Sequence, residues 1–211
     1  MKHLMAGLLV LVGCTVAQAV TVVGYDVQNT RASGWGNWTH VYSGTMVANG
    51  SGTFNYSGGS GSMNDGVVPS GIDNNHLLEL PDLPVVTLHL DAPTRISSIE
   101  IYGGAVGNGA PGSIGRLSVT IGATTHAFSA VPFGPLCNPS NLCNDRIVLT
   151  GTGLDLLVTD TVVLSLFIGG FNNHINIGEV VVVGAVPEPA AALLLAAGGL
   201  ALCGVRRRSV R

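Results

Sequence analysis

The chain has 211 residues, 46% hydrophobic, 10% charged and 5% aromatic, with 30 Gly. Apart from its two ends, the stretch 20–185 keeps every acid except Glu188 but only the bases Arg31, Arg95, Arg116 and Arg146, which leaves 11 acids of 12, four bases of nine and a formal charge of −7. So few bases cannot supply the counterion release on which nucleic-acid binding rests, and such aliphatic content at low charge density excludes a disordered chain, leaving one domain long enough to bury a core.

At the N-terminus, Lys2 and His3 precede an apolar run, Leu4 to Val12, and Ala17-Gln18-Ala19 supplies a small-x-small cleavage pattern. The run is well short of the ~20 residues that span a bilayer. The arrangement predicts a secretory signal peptide over 1–19, cut after Ala19 by signal peptidase. Leu11-Val12-Gly13-Cys14 offers a competing reading, a lipobox with a lipid on Cys14.

Beyond the leader, no window of 20–186 carries the 3.6-residue periodicity of an amphipathic helix, whereas β-branched runs are frequent. Strands are predicted over Val20–Val27, Thr39–Val47, Val85–Leu90, Arg95–Tyr102, Arg116–Ile121, Arg146–Leu149, Thr161–Ile168 and Ile175–Val183. Leu117, Val119 and Ile121 alternate cleanly, as a sheet with one buried face requires. Stretches 48–75 and 103–115 are Gly-, Ser- and Asn-rich and read as long loops. About eight strands in this length fit an all-β, jelly-roll-like β-sandwich ectodomain over 20–185.

Candidate sites follow the same order. Trp35, Trp38, His40 and Tyr42 form the densest aromatic cluster. Flat rings stack on sugar C–H faces, so Trp35, Trp38 and His40 are candidate glycan contacts, although the favoured reading makes Trp38 and Tyr42 core or corner residues of a strand. Asp65 and Asp73 border a Gly/Asn-rich stretch, and Asp26 and Glu179 lie near the ends of the domain. These four are candidate Ca²⁺ ligands, but Ca²⁺ takes 6–8 oxygens and spacing does not show that they converge, so solvated carboxylates are the favoured reading. Gly107, Gly109 and Gly112 match a dinucleotide fingerprint in spacing, but Pro111 intervenes and no helix follows. Cys137 and Cys143 bracket Asn-Pro-Ser-Asn-Leu; an exported chain favours a disulfide there, with half of a metal site as the alternative. The His residues lack metal-ligand spacing, and no Gly-x-Ser-x-Gly elbow is present, so no catalytic residue is assigned.

At the C-terminus, Pro187-Glu188-Pro189 precedes the uncharged run Ala190 to Val205, and Arg206, Arg207 and Arg208 close it. This order over 186–211 resembles a PEP-CTERM sorting signal. The resemblance implies a Gram-negative bacterium that makes exopolysaccharide and a transmembrane sorting helix held briefly in the inner membrane. It also implies an exosortase that recognises Pro187, Glu188 and Pro189 and removes the tail, so that the ectodomain is released or attached at the cell surface. The three arginines would sit on the cytoplasmic side.

A second resemblance lies in the middle. Met63-Asn64-Asp65-Gly66, then Thr87 to Tyr102, then Ile175-Asn176-Ile177-Gly178-Glu179-Val180-Val181-Val182-Val183-Gly184 are similar, in that order, to segments of the discoidin, or coagulation-factor C-domain-like, galactose-binding sandwich. It implies the same fold and a structural Ca²⁺ that joins the chain ends. The expected function is therefore a non-catalytic structural or adhesive role in the exopolysaccharide matrix, with carbohydrate as the candidate ligand; no cofactor is expected, a structural Ca²⁺ being the one candidate. A secreted module for one specific glycan and a polysaccharide hydrolase are the alternatives.

Overall fold

Alternating apolar residues demand a sheet with one face in a core, and the computed structural model of the protein is built this way. It describes residues 18–30, 41–50, 52–68, 75–79, 84–104, 114–129, 133–134, 144–151, 153–154, 157–168 and 174–185. The strands in chain order are β1 (Gln18–Val20), β2 (Val22–Thr30), β3 (Thr45–Ala48), β4 (Phe54–Gly59), β5 (His76–Glu79) and β6 (Val85–Gly104). They continue with β7 (Ile114–Ile121), β8 (Thr124–Ser129), β9 (Phe133–Gly134), β10 (Asn144–Thr150), β11 (Val158–Ile168) and β12 (His174–Gly184). All pair antiparallel in one sheet, in the path β3-β4-β2-β5-β12-β6-β11-β7-β8 with β1, β9 and β10 off it. The chain is thus all-β over its described residues, which contain no helix long and apolar enough to cross a membrane.

Strand β6 organises the sheet. Its first half pairs with β2 (Val22↔Leu90 to Gln28↔Val85) and with β11 (Ser165↔Val85 to Val158↔Arg95). Its second half pairs with β10 (Thr150↔Ser98 to Asn144↔Gly104) and β12 (Gly184↔Ile96 to Ile177↔Gly103). Val86 and Leu88 from the first half and Ile96, Ile99 and Ile101 from the second enter one hydrophobic cluster with Val162, Leu164, Val180 and Val182, all wholly or almost wholly buried. Two groups of strands therefore close over one core, as in a sandwich.

Two expectations need correction. Val85–Leu90 and Arg95–Tyr102 are not separate strands but parts of β6. Pro93 is tolerated because the register with β11 skips from His89↔Thr161 to Thr94↔Thr159, so its missing N–H removes no ladder bond. Residues 48–75 are not one loop. They contain β4, an interior strand between β3 and β2. Its Gly content reflects close backbone approach: a Cβ on Gly59 would lie 2.6 Å from the Gly44 Cα and 2.9 Å from the Tyr42 ring. Tyr42 itself is packed on Tyr25 and Tyr56, with ring centroids 5.2 and 4.8 Å apart.

In β12, Ile175 and Ile177 face the core, and so do Val180 and Val182. Odd positions thus give way to even ones. The change of parity comes from the register shift between Ile177 and Glu179, which places Gly178 as the extra residue. Without that bulge Glu179 would project into the hydrocarbon interior.

Candidate functional site

The bulge turns Glu179 to the outer side of β12, yet Glu179 is only 3% exposed. The cover is the segment after β4, Gly61 to Val67. Asn64 shapes it: its Oδ1 accepts from the Gly61 N–H at 2.9 Å and its Nδ2 donates to the Val22 carbonyl at 2.7 Å. The Val67 N–H donates to Asp65 Oδ1 at 2.8 Å, and Gly66 has a φ of 80° that favours glycine. Met63 is fully buried beneath, and its carbonyl accepts from the Val180 N–H at 2.8 Å. The Met63 backbone also bonds the Tyr25 hydroxyl, whose pKa is pushed up by burial.

These contacts bring Asp65 and Glu179 together. Burial, followed by the Asp65 charge, raises the Glu179 carboxyl to about 8, although the backbone N–H groups of Gly66 and Asp65 pull it the other way. Its Oε2 is buried and accepts no hydrogen bond. Two carboxyls in one site, one with an unmatched oxygen, are a poor arrangement for two anions and a good one for a hard cation. Among the described residues no three His, Cys, Asp or Glu side chains converge, so any further oxygens would come from backbone carbonyls and water. The donor set fits Ca²⁺ in kind: Asp65 and Glu179 would hold it, and it would neutralise both while tying the loop to β12.

Asp26, the other candidate carboxylate among the described residues, has different partners. Asp26 pairs through Oδ2 with His89 Nε2 at 2.9 Å, and its Oδ1 accepts from the Gly58 N–H at 2.8 Å. Asp73, Trp35, Trp38, His40, Cys137, Cys143, Cys14 and Ala17 lie outside the described residues, as do Pro187, Glu188, Pro189, Arg206, Arg207 and Arg208. Ala19, at the expected cleavage point, pairs with Val183 in β1.

A second polar group was not foreseen from the sequence. On the outer side of β6 and β10, Arg146 Nε donates to Glu100 Oε2 at 3.0 Å and its Nη2 donates to Oε1; the Tyr102 hydroxyl also donates to Oε2 at 3.0 Å. Burial and the bond to Glu100 raise the Tyr102 pKa. Glu100 and Tyr102 are two apart and share a strand face, which is legible. That Arg146, far along the chain, lies beside Tyr102 depends on strand register.

No family model matches the chain, and no curated protein matches it. Among solved structures it is similar to the family 32 carbohydrate-binding module from C. perfringens NanJ, determined in complex with galactose. The identity is 14%, over 68% of this chain and 93% of that one, with a TM-score of 0.38.

Proposed function

We propose that the protein is an exported, non-catalytic, Ca²⁺-stabilised β-sandwich that binds carbohydrate and serves a structural or adhesive role in an exopolysaccharide matrix. The observation that carries this reading is the meeting of Asp65 with Glu179 under the Gly61–Val67 segment. The Asn64-Asp65-Gly66 triplet and the closing Ile-Gly-Glu-Val strand are two of the three segments on which the likeness to the galactose-binding sandwich rests. Their contact in space supports more than their order in the chain. Export, exosortase processing and inner-membrane transit rest on the chain ends, through the leader 1–19 and the tail 186–211.

The test is retention of the full chain on purified exopolysaccharide and on a panel of glycans, with Ca²⁺ and with chelator, beside folded Trp35→Ala and Trp38→Ala variants. Saturable retention is expected. Absence of retention from every glycan in either condition sinks the carbohydrate reading and leaves a structural role directed at protein. For sorting, a Pro187→Ala, Glu188→Ala, Pro189→Ala triple variant expressed beside an exosortase should stay membrane-bound and uncleaved, whereas normal processing of it would refute recognition of that motif.

A further inference from the structure

The outer face of β12, β6 and β10 is ordered in rows by register. Glu179, Tyr102 and Arg146 form one row, Val181, Glu100 and Val148 the next, and Val183, Ser98 and Thr150 the third. Tyr102, Arg146, Val181 and Val148 are partly exposed. Tyr102 is tied to this face by one hydrogen bond. Its hydroxyl reaches the carboxylate of Glu100, two residues back on the same strand, a step of about 7 Å along an extended chain. That bond leans the Tyr102 ring toward Glu100 along the strand, and the residue stays partly exposed on this face.

Arg146 borders the ring. Its side chain is 41% exposed against 17% for Glu100. A guanidinium has five N–H donors; two go to Glu100, and among the described residues the others are bound to no protein acceptor. Glu100 has both oxygens engaged and cancels the charge of Arg146, so the pair offers hydrogen-bond donors without net attraction for an anion. A partly exposed aromatic ring, valine flanks and directed neutralised donors suit the C–H face and hydroxyl oxygens of a neutral sugar ring.

We propose that the outer face of β12, β6 and β10 is a carbohydrate platform for a neutral hexopyranose unit of a polymer. In it Tyr102 supplies the stacking ring, Arg146 donates to sugar hydroxyls, and Glu100 is a positioning residue that holds both. This rests on the carbohydrate reading above and places the contact on sheet residues rather than on Trp35, Trp38 and His40.

The experiment is affinity electrophoresis of the full chain in gels containing neutral galactan, glucan or mannan. The variants are Tyr102→Ala, Tyr102→Phe, Arg146→Gln and Trp35→Ala, each first compared with the parent by thermal melting. Tyr102→Ala and Arg146→Gln should each weaken retention by about tenfold or more, the effect expected of a central contact. Tyr102→Phe should fall between parent and Tyr102→Ala, because it keeps the ring but frees it from Glu100; it also serves if Tyr102→Ala does not fold. Retention unchanged in the Tyr102 and Arg146 variants but lost in Trp35→Ala overturns the platform and leaves the carbohydrate reading standing. If the parent is retained by none of the three polymers, the platform falls, and failure on the wider glycan panel takes the carbohydrate reading with it.

Discussion

At the scale of single residues, Glu179 sets a testable pH dependence. Its carboxyl sits near 4.5 when the chain is unfolded and is raised to about 8 in the fold, first by burial and then by Asp65. Between those values the folded state holds a proton that the unfolded state has released. Folding stability therefore falls as pH rises across this window, and the loss is complete above about pH 8. In chelator, melting temperature should drop from pH 5 to pH 8. Saturating Ca²⁺ at pH 8 should recover it, since a ligand that binds only the folded state stabilises that state. Glu179→Gln should flatten the pH profile and abolish the Ca²⁺ response. A Ca²⁺ response that survives in this variant would place the ion elsewhere. At another residue, Gly59→Ala would drive a methyl group against Gly44 and the Tyr42 ring. Overpacking of this kind costs about 1–3 kcal/mol. Gly50→Ala meets nothing within 4 Å but keeps a φ of 88°, so it carries only backbone strain. Urea denaturation of the two variants separates crowding from strain.

At the scale of elements, β6 is the member whose loss the sheet cannot absorb, because four strands pair along its length. Ile99 is fully buried in its second half and lies beside Val182 and Leu149 across the two neighbouring strands. Ile99→Ala should cost about 2–5 kcal/mol. Exposed Pro93, at the gap in the β11 register, should tolerate Ala within about 0.5 kcal/mol. Equal losses at both positions would contradict the account of β6. The same elements show what the sequence could disclose. Strands β7 and β11 were legible because each buries one face and so alternates cleanly. Strand β4 was not, because glycine serves there for close approach between strands and only Tyr56 is fully buried. Strand β8 follows β7 through a two-residue turn in which Gly122 has a φ of 58°. His126 and Ala127 interrupt its apolar pattern. Of the candidate site, Asp65 and Glu179 were legible as parts of two motifs. Their meeting was not, since it depends on a one-residue bulge at Gly178. In the Tyr102, Glu100 and Arg146 group, the shared strand face of Glu100 and Tyr102 was legible, but the arrival of Arg146 depends on register and was hidden.

At the scale of the whole molecule, charge decides which polymers the protein can approach. Residues 20–185 carry 11 acids and four bases. Of those bases Arg146 is bound to Glu100. The field of such a domain repels polyanions, and the repulsion reaches further at low salt, where the Debye length is longer. Contact with a neutral polysaccharide draws instead on stacking and hydrogen bonds, which salt screens little. Retention on a neutral polymer should therefore change by less than about threefold between 0.05 and 0.5 M NaCl, a range over which a contact with several phosphates would weaken by orders of magnitude. Retention on heparin in chelator should be absent at the lower salt. Strong binding to heparin that fades as salt is added would mean that the few bases form a focused cationic patch. The neutral-sugar reading of the sheet face would then give way to recognition of an acidic polysaccharide.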